Sequence, residues 1–172
     1  MRTARVWFYL LAASQALFLT TWAGRHEWIL RESPSVLLEV RPVDPDEILR
    51  GTYILLNYSI STIPDSLLTA PPGPNDSEPG GRICVVLAPQ GEFWQAASAT
   101  LGRCPSGGRD RVEGRLDYLD GTENVRVDYG IGRYYVPEGM GNPRGRLSAR
   151  VAITPDGRPF LKQVYEEGRP YP

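Results

Sequence analysis

The sequence predicts an all-β protein: a single antiparallel barrel or sandwich of about eight to nine short strands behind an N-terminal transmembrane helix. Three observations carry this. Residues Val6 to Ala23 form a run of 18 without a charge. The segments after it are short, rich in β-branched and aromatic residues, and bounded by Pro or Gly. In the second half, apolar and polar residues alternate with period two, the pattern of a half-buried antiparallel strand.

The apolar run comes first. As a helix rising about 1.5 Å per residue it spans roughly 27 Å, close to the hydrocarbon thickness of a bilayer. Trp7, Tyr9, Trp22 and Trp28 near its edges fit interfacial aromatic belts, and Arg2 and Arg5 before it place the N-terminus inside by the positive-inside rule. The expected organisation is a cytoplasmic stretch at 1–5, an anchor at 6–23, a juxtamembrane linker at 24–34 and an extracytoplasmic β domain at 35–172. This corresponds to a single-pass membrane protein with its C-terminal domain extracytoplasmic. A cleaved signal peptide competes with the anchor, but Thr21-Trp22-Ala23 is a poor small-x-small cleavage site. A buried core helix is the third reading, disfavoured by the two leading arginines and the lack of any polar face.

Strands follow in order. Val36–Val40 is a short apolar run ended by Pro42, and Asp44-Pro45 caps a brief helix over 45–49. Tyr53 to Ile60 reads as one strand after an Arg50-Gly51 turn, and Ile83–Ala88 as the next, turning through Pro89-Gln90-Gly91 towards Phe93-Trp94. Between them, the Pro/Gly-rich stretch 70–82 reads as a flexible loop inside one domain. Val112–Leu119 and Val125–Ile131 form a hairpin across Asp120-Gly121. Val125, Val127, Tyr129 and Ile131 share one face, opposite Arg126 and Asp128. Leu147, Ala149, Val151 and Ile153 alternate against Arg146, Ser148 and Arg150. Thr154-Pro155-Asp156-Gly157 then turns the chain into Pro159–Tyr165.

Charge excludes one class of partner. All 20 acidic residues lie beyond Gly24, where 17 basic residues offset them to about −3. Such a domain lacks the basic face that phosphate neutralisation needs, so nucleic acid is not an expected partner. Arginine outnumbers lysine 18 to 1, with Lys162 alone, a bias read first as genomic composition. Cys84 and Cys104 either close a loop as a disulfide, worth roughly 3 kcal/mol in an oxidising compartment, or remain separate thiols.

Two stretches stand out as motifs: Arg50-Gly51-Thr52-Tyr53-Ile54-Leu55-Leu56-Asn57-Tyr58 and Tyr134-Tyr135-Val136-Pro137-Glu138-Gly139. With Asp44-Pro45 before them and Asp156-Gly157 after, the chain resembles the GDYXXLXY family of membrane-anchored bacterial proteins. That family's order runs from a hydrophobic helix through Asp-Pro and Arg-Gly-Asp-Tyr-x-x-Leu-x-Tyr to Tyr-Phe-Val-Pro-Glu-Gly and a closing Asp-Gly hairpin. The matches are Asp44, Pro45, Arg50, Gly51, Tyr53, Leu56, Tyr58, Tyr134, Val136, Pro137, Glu138 and Gly139. Three departures accompany them. Thr52 replaces the motif aspartate, Asp46 stands where a basic residue is usual, and residues 139–145 are too rich in Gly and Pro for a short helix. The resemblance implies no established reaction. It implies a polytopic membrane protein as a neighbour, since family members tend to accompany such proteins.

The candidate site is a ligand or partner groove lined by Tyr53, Tyr134 and Tyr135, with Arg50, Arg133 and Glu138 as polar companions. Against it stands ordinary packing, with tyrosine hydroxyls tied to backbone. On a regular strand Tyr53 and Tyr58 point to opposite faces, and Leu56 shares the face of Tyr58. An Arg–Glu pair holding the two motifs together competes with free arginines that bind a carboxylate. No catalytic residues, cofactor or metal site emerge. The sole histidine, His26, adjoins the membrane run, and Asp44, Asp46 and Glu47 lack the spacing of a calcium loop. Two functions follow: a membrane-tethered β domain that binds an envelope or polytopic membrane protein, and, as the alternative, an envelope hydrolase using carboxylates around Glu138 and Asp44.

Overall fold

A computed structural model describes residues 2–41, 53–69, 80–108, 110–119, 124–137, 143 and 145–171. The chain divides into two units, Met1–Ser33 and Pro34–Pro172.

The first unit is one helix, α1, Arg2–Glu32. Its stretch Val6–Ile29 is long and apolar enough to cross a membrane. Large side chains such as Trp7, Phe8, Leu17 and Phe18 are exposed. The helix does not stop at Ala23 but continues through the segment expected to be a linker. Trp28 and Ile29 extend the apolar stretch, and Glu27 and Arg31 form an i, i+4 ion pair at 2.8 Å. It stops after Glu32 because Pro34 disfavours helical backbone at Ser33, whose N–H and hydroxyl both return to the Ile29 carbonyl.

The second unit is mostly β, in antiparallel sheets, none of which closes into a barrel among the described residues. Its strands are β1 Ser35–Arg41, β2 Tyr53–Leu55, β3 Asn57–Tyr58, β4 Thr62–Pro64, β5 Arg82–Gln90, β6 Phe93–Leu101, β7 Arg111–Leu119, β8 Asn124–Asp128, β9 Arg133–Tyr135, β10 Leu147–Ile153, β11 Pro159–Glu166 and β12 Arg169–Pro170. One sheet runs β12-β11-β10-β1-β3, the other β4-β8-β7-β5-β6, and β2 and β9 make a separate pair. A single hydrophobic cluster draws on both large sheets, including Val36, Leu38 and Val151 from one and Ile83, Val85 and Val127 from the other.

Among the described residues, twelve strands stand where eight or nine were expected: one expected strand is split into β2 and β3, and β4, β9 and β12 are additional short ones. The expected strand Tyr53–Ile60 is broken, because its partners change every two or three residues. Strand β2 pairs with β9, β3 with β1, and β4 with β8, with a 3-10 turn at Ser59–Ser61 between the last two. Alternation survives the breaks: Ile54, Leu56, Tyr58 and Ile60 are all buried. The expected faces of β8 and β10 also hold, except that outward Ser148 is covered as well. The brief helix over 45–49, the turns at Arg50-Gly51 and Asp120-Gly121, and all but the last residues of the loop expected at 70–82 lie outside the described residues.

Cys84 and Cys104 form a disulfide with their Cα atoms 4.9 Å apart, which settles the alternative left open by the sequence. It ties β5 to the loop after β6. The β10–β11 turn rests on it: a Cβ at Gly157 would lie 3.0 Å from Cys104 Cβ, and its φ of +84° also favours glycine. Backbone bonds from Gly107 N–H to Pro155 O (2.9 Å) and from Glu113 N–H to Gly157 O (2.8 Å) complete the junction. The Asp156-Gly157 turn therefore touches both the disulfide loop and β7.

Candidate functional site

The two motifs meet. In the β2–β9 pair Tyr53 lies opposite Tyr135, Ile54 opposite Tyr134, and Leu55 opposite Arg133. Opposed residues share a face and successive residues alternate, so this register sorts the candidates. Tyr53, Arg133 and Tyr135 stand on the outer face. The Tyr53 and Tyr135 rings are 6.0 Å apart and tilted by 59°, and the Arg133 guanidinium sits 5.8 Å from the Tyr53 ring centre. Tyr135 is 70% exposed.

Tyr134 goes the other way. It packs against the core, donates its hydroxyl to the Tyr171 carbonyl at 3.1 Å, and sets its ring 6.5 Å from that of Tyr171. The three tyrosines expected to line one groove are thus split, two outward and one inward. Arg50 and Glu138 lie outside the described residues, and so does any ion pair between the motifs that involves them.

The remaining motif positions form a buried seam. Leu56 N–H donates to Gly132 O, the Tyr58 hydroxyl to Ile131 O, and the Tyr129 hydroxyl back to Ile60 O, each at 2.8 Å. Segment 56–60 is therefore stitched to 129–132 from both sides. Buried phenols need such acceptors, and backbone carbonyls at strand breaks need such donors. Tyr129 has room because its neighbour on β7 is Gly114, where a Cβ would come within 2.4 Å of Val127 and 3.0 Å of the Tyr129 ring. Leu56 and Tyr58 of the first motif thus serve the core, whereas Tyr53 is turned to the outer face.

Burial pushes the Tyr58 and Tyr129 phenols far above the ordinary tyrosine value of 10.0. A folded-state value above the unfolded one contributes stability that is complete below about pH 10 and is lost as the pH rises beyond it. In an alkaline titration followed by tyrosinate absorbance, Tyr58 and Tyr129 should ionise only as the domain unfolds. Ionisation of every tyrosine with the fold intact would contradict the seam.

Beside the outer face lies an open cleft of about 780 Å³. Its lining includes Asn57 from the first motif, Arg133 and Tyr135 from β9, and Asp117, Arg126 and Asp128 from β7 and β8. Asp117 occupies the irregularity in the β7–β8 register between Leu116 and Tyr118. Among the described residues, neither Asp117 nor Arg126 is engaged in an ion pair. Asp128 accepts the Gly130 N–H at 2.8 Å. The sequence marked Arg126 and Asp128 as outward-facing but gave no sign that the broken strand at 55–61 runs alongside them. Two carboxylates and two guanidiniums leave the cleft with no dominant sign of charge.

Fold and site define a class: an antiparallel β domain preceded in the chain by an apolar helix, displaying an aromatic and arginine surface on a separate two-stranded pair. Across residues 15–164 the chain matches the family model described as GDYXXLXY protein. It therefore belongs to the GDYXXLXY family. No curated protein and no solved structure matches it.

Proposed function

We propose that this is a single-pass protein of the bacterial cytoplasmic membrane whose extracytoplasmic β domain, two sheets packed as a sandwich, binds another envelope or polytopic membrane protein. The observation that carries the reading is the outer face of β2–β9, where Tyr53, Arg133 and the largely exposed Tyr135 stand beside an open cleft. Tyrosine and arginine are the residue types most often found at the centre of protein interfaces. The apolar helix supplies the tether, and the disulfide fits an oxidising compartment outside the cytoplasm.

The hydrolase alternative finds less support. A general acid of that kind gains its raised pKa from burial. No Asp or Glu among the described residues is buried, and both Asp117 and Asp128 in the cleft are exposed. Asp44 and Glu138, on which that alternative rests, lie outside the described residues.

Crosslinking and pulldown from native membranes test the binding surface. Tyr135→Ala should cut recovery of a specific partner by about tenfold, on the scale of one interface hot spot, while leaving the unfolding free energy within about 0.5 kcal/mol of the parent. Unchanged recovery, or no specific partner under any growth condition, would sink the reading.

A further inference from the structure

Between Val6 and Ala23, α1 carries four strongly polar side chains, and they do not behave alike. Ser14 donates its hydroxyl to Leu11 O at 2.9 Å and Thr21 to Leu17 O at 2.7 Å, while Thr20 donates to Ala16 O. These three hydroxyls are satisfied within their own helix, as serine and threonine commonly are in membrane spans. Gln15 is different. It is exposed, and its amide has no hydrogen-bond partner among the described residues. It sits nine residues into the stretch that begins at Val6. At about 1.5 Å per residue this is roughly 14 Å, near the midplane of a hydrocarbon core about 30 Å thick.

No water is available there, so two N–H donors and a carbonyl acceptor in lipid need a partner on another helix. A glutamine amide carries donor and acceptor together and so complements its own copy across a twofold axis. Ala12, three residues earlier on the same side, is small enough to let a second backbone approach, and Leu19 lies on that side four residues later.

We infer that α1 associates with α1 of a second copy of this chain through reciprocal Gln15 amide hydrogen bonds at the bilayer midplane. The inference rests on the anchor reading and adds to it: the outer faces of β2–β9 would be presented in pairs. One closed twofold contact pairs the carbonyl of each amide with an N–H of the other.

The test uses the full chain in phosphatidylethanolamine/phosphatidylglycerol vesicles, with donor- and acceptor-labelled copies mixed at decreasing protein-to-lipid ratios. Energy transfer should report a dimer for the parent. Gln15→Leu should weaken association about three- to thirtyfold, the range measured for polar contacts between membrane helices. Gln15→Asn, which keeps donor and acceptor, should restore most of it. All native cysteines in the described residues are paired, so Ala12→Cys should yield an oxidised self-adduct of twice the chain mass in native membranes. Dimerisation of Gln15→Leu equal to the parent overturns the inference. So does a parent that stays monomeric at every ratio, or an Ala12→Cys adduct formed only with a different protein. Flotation of the same vesicles separates the two layers of the claim. A chain that fails to float defeats the anchor itself, whereas one that floats without energy transfer defeats only the pairing.

Discussion

Replacing both Cys84 and Cys104 with alanine should lower the stability of the β domain by about 3 kcal/mol, the chain-entropy value for a closed loop of 20 residues. For a domain of this size that corresponds to a fall of roughly 6–12 °C in Tm. The effect should reach beyond β5 and the loop it holds, because the Gly157 turn packs directly on Cys104 and bonds through its carbonyl to Glu113. Hydrogen exchange should therefore speed up in the β10–β11 turn as well as around Gly102–Gly108. Adding a thiol reductant to the parent protein should reproduce the shift. If reduction leaves the denaturation midpoint where it was, the bridge has no part in holding the domain.

The second large effect lies in the seam. Tyr58→Ala removes a fully buried ring and a hydroxyl donor together and should cost about 3–5 kcal/mol, the range for large aromatic truncations. Tyr58→Phe keeps the ring but leaves the Ile131 carbonyl without its phenol donor, at about 1–2 kcal/mol. Tyr129→Phe should behave alike through Ile60. The two substitutions combined distinguish a seam from two separate bonds. In a double-mutant cycle the pair should deviate from additivity by about 0.5 kcal/mol or more, since both bonds hold the same two segments. Strict additivity would mean that each hydroxyl acts alone.

Much of this fold is legible in the sequence, and the residues explain where it is not. Strands β1, β5, β8 and β10 show themselves because apolar residues alternate or cluster between Pro and Gly. Strand β6 extends well past Phe93-Trp94, where the sequence gave its only sign. Its interior is Gln95-Ala96-Ala97-Ser98-Ala99-Thr100, small residues that are mostly half-buried or exposed and so lack contrast between faces. Strand β12 is two residues long, too short for any period to register.

At the site, the meeting of the two motifs is foreseeable from their shared aromatic content, and the opposite facing of Tyr53 and Tyr58 follows from strand geometry alone. The inward turn of Tyr134 depends on the β2–β9 register, which no local pattern specifies. The Tyr129 hydroxyl meets a carbonyl 69 residues away, a contact invisible to any window along the chain.

One feature of the first motif bears on how the protein reaches this structure. Segment 53–64 takes its partners in turn from β9, β1 and β8, of which β1 precedes it and the others lie about 60 to 80 residues later. Only the β1–β3 pairing is available early, and β2 and β4 must wait until β9 and β8 have been delivered. During folding, the motif would then be among the last parts of the domain to gain protection, completing it as a keystone does an arch. Sequence change there would be felt as slow maturation and proteolysis before it altered the finished fold.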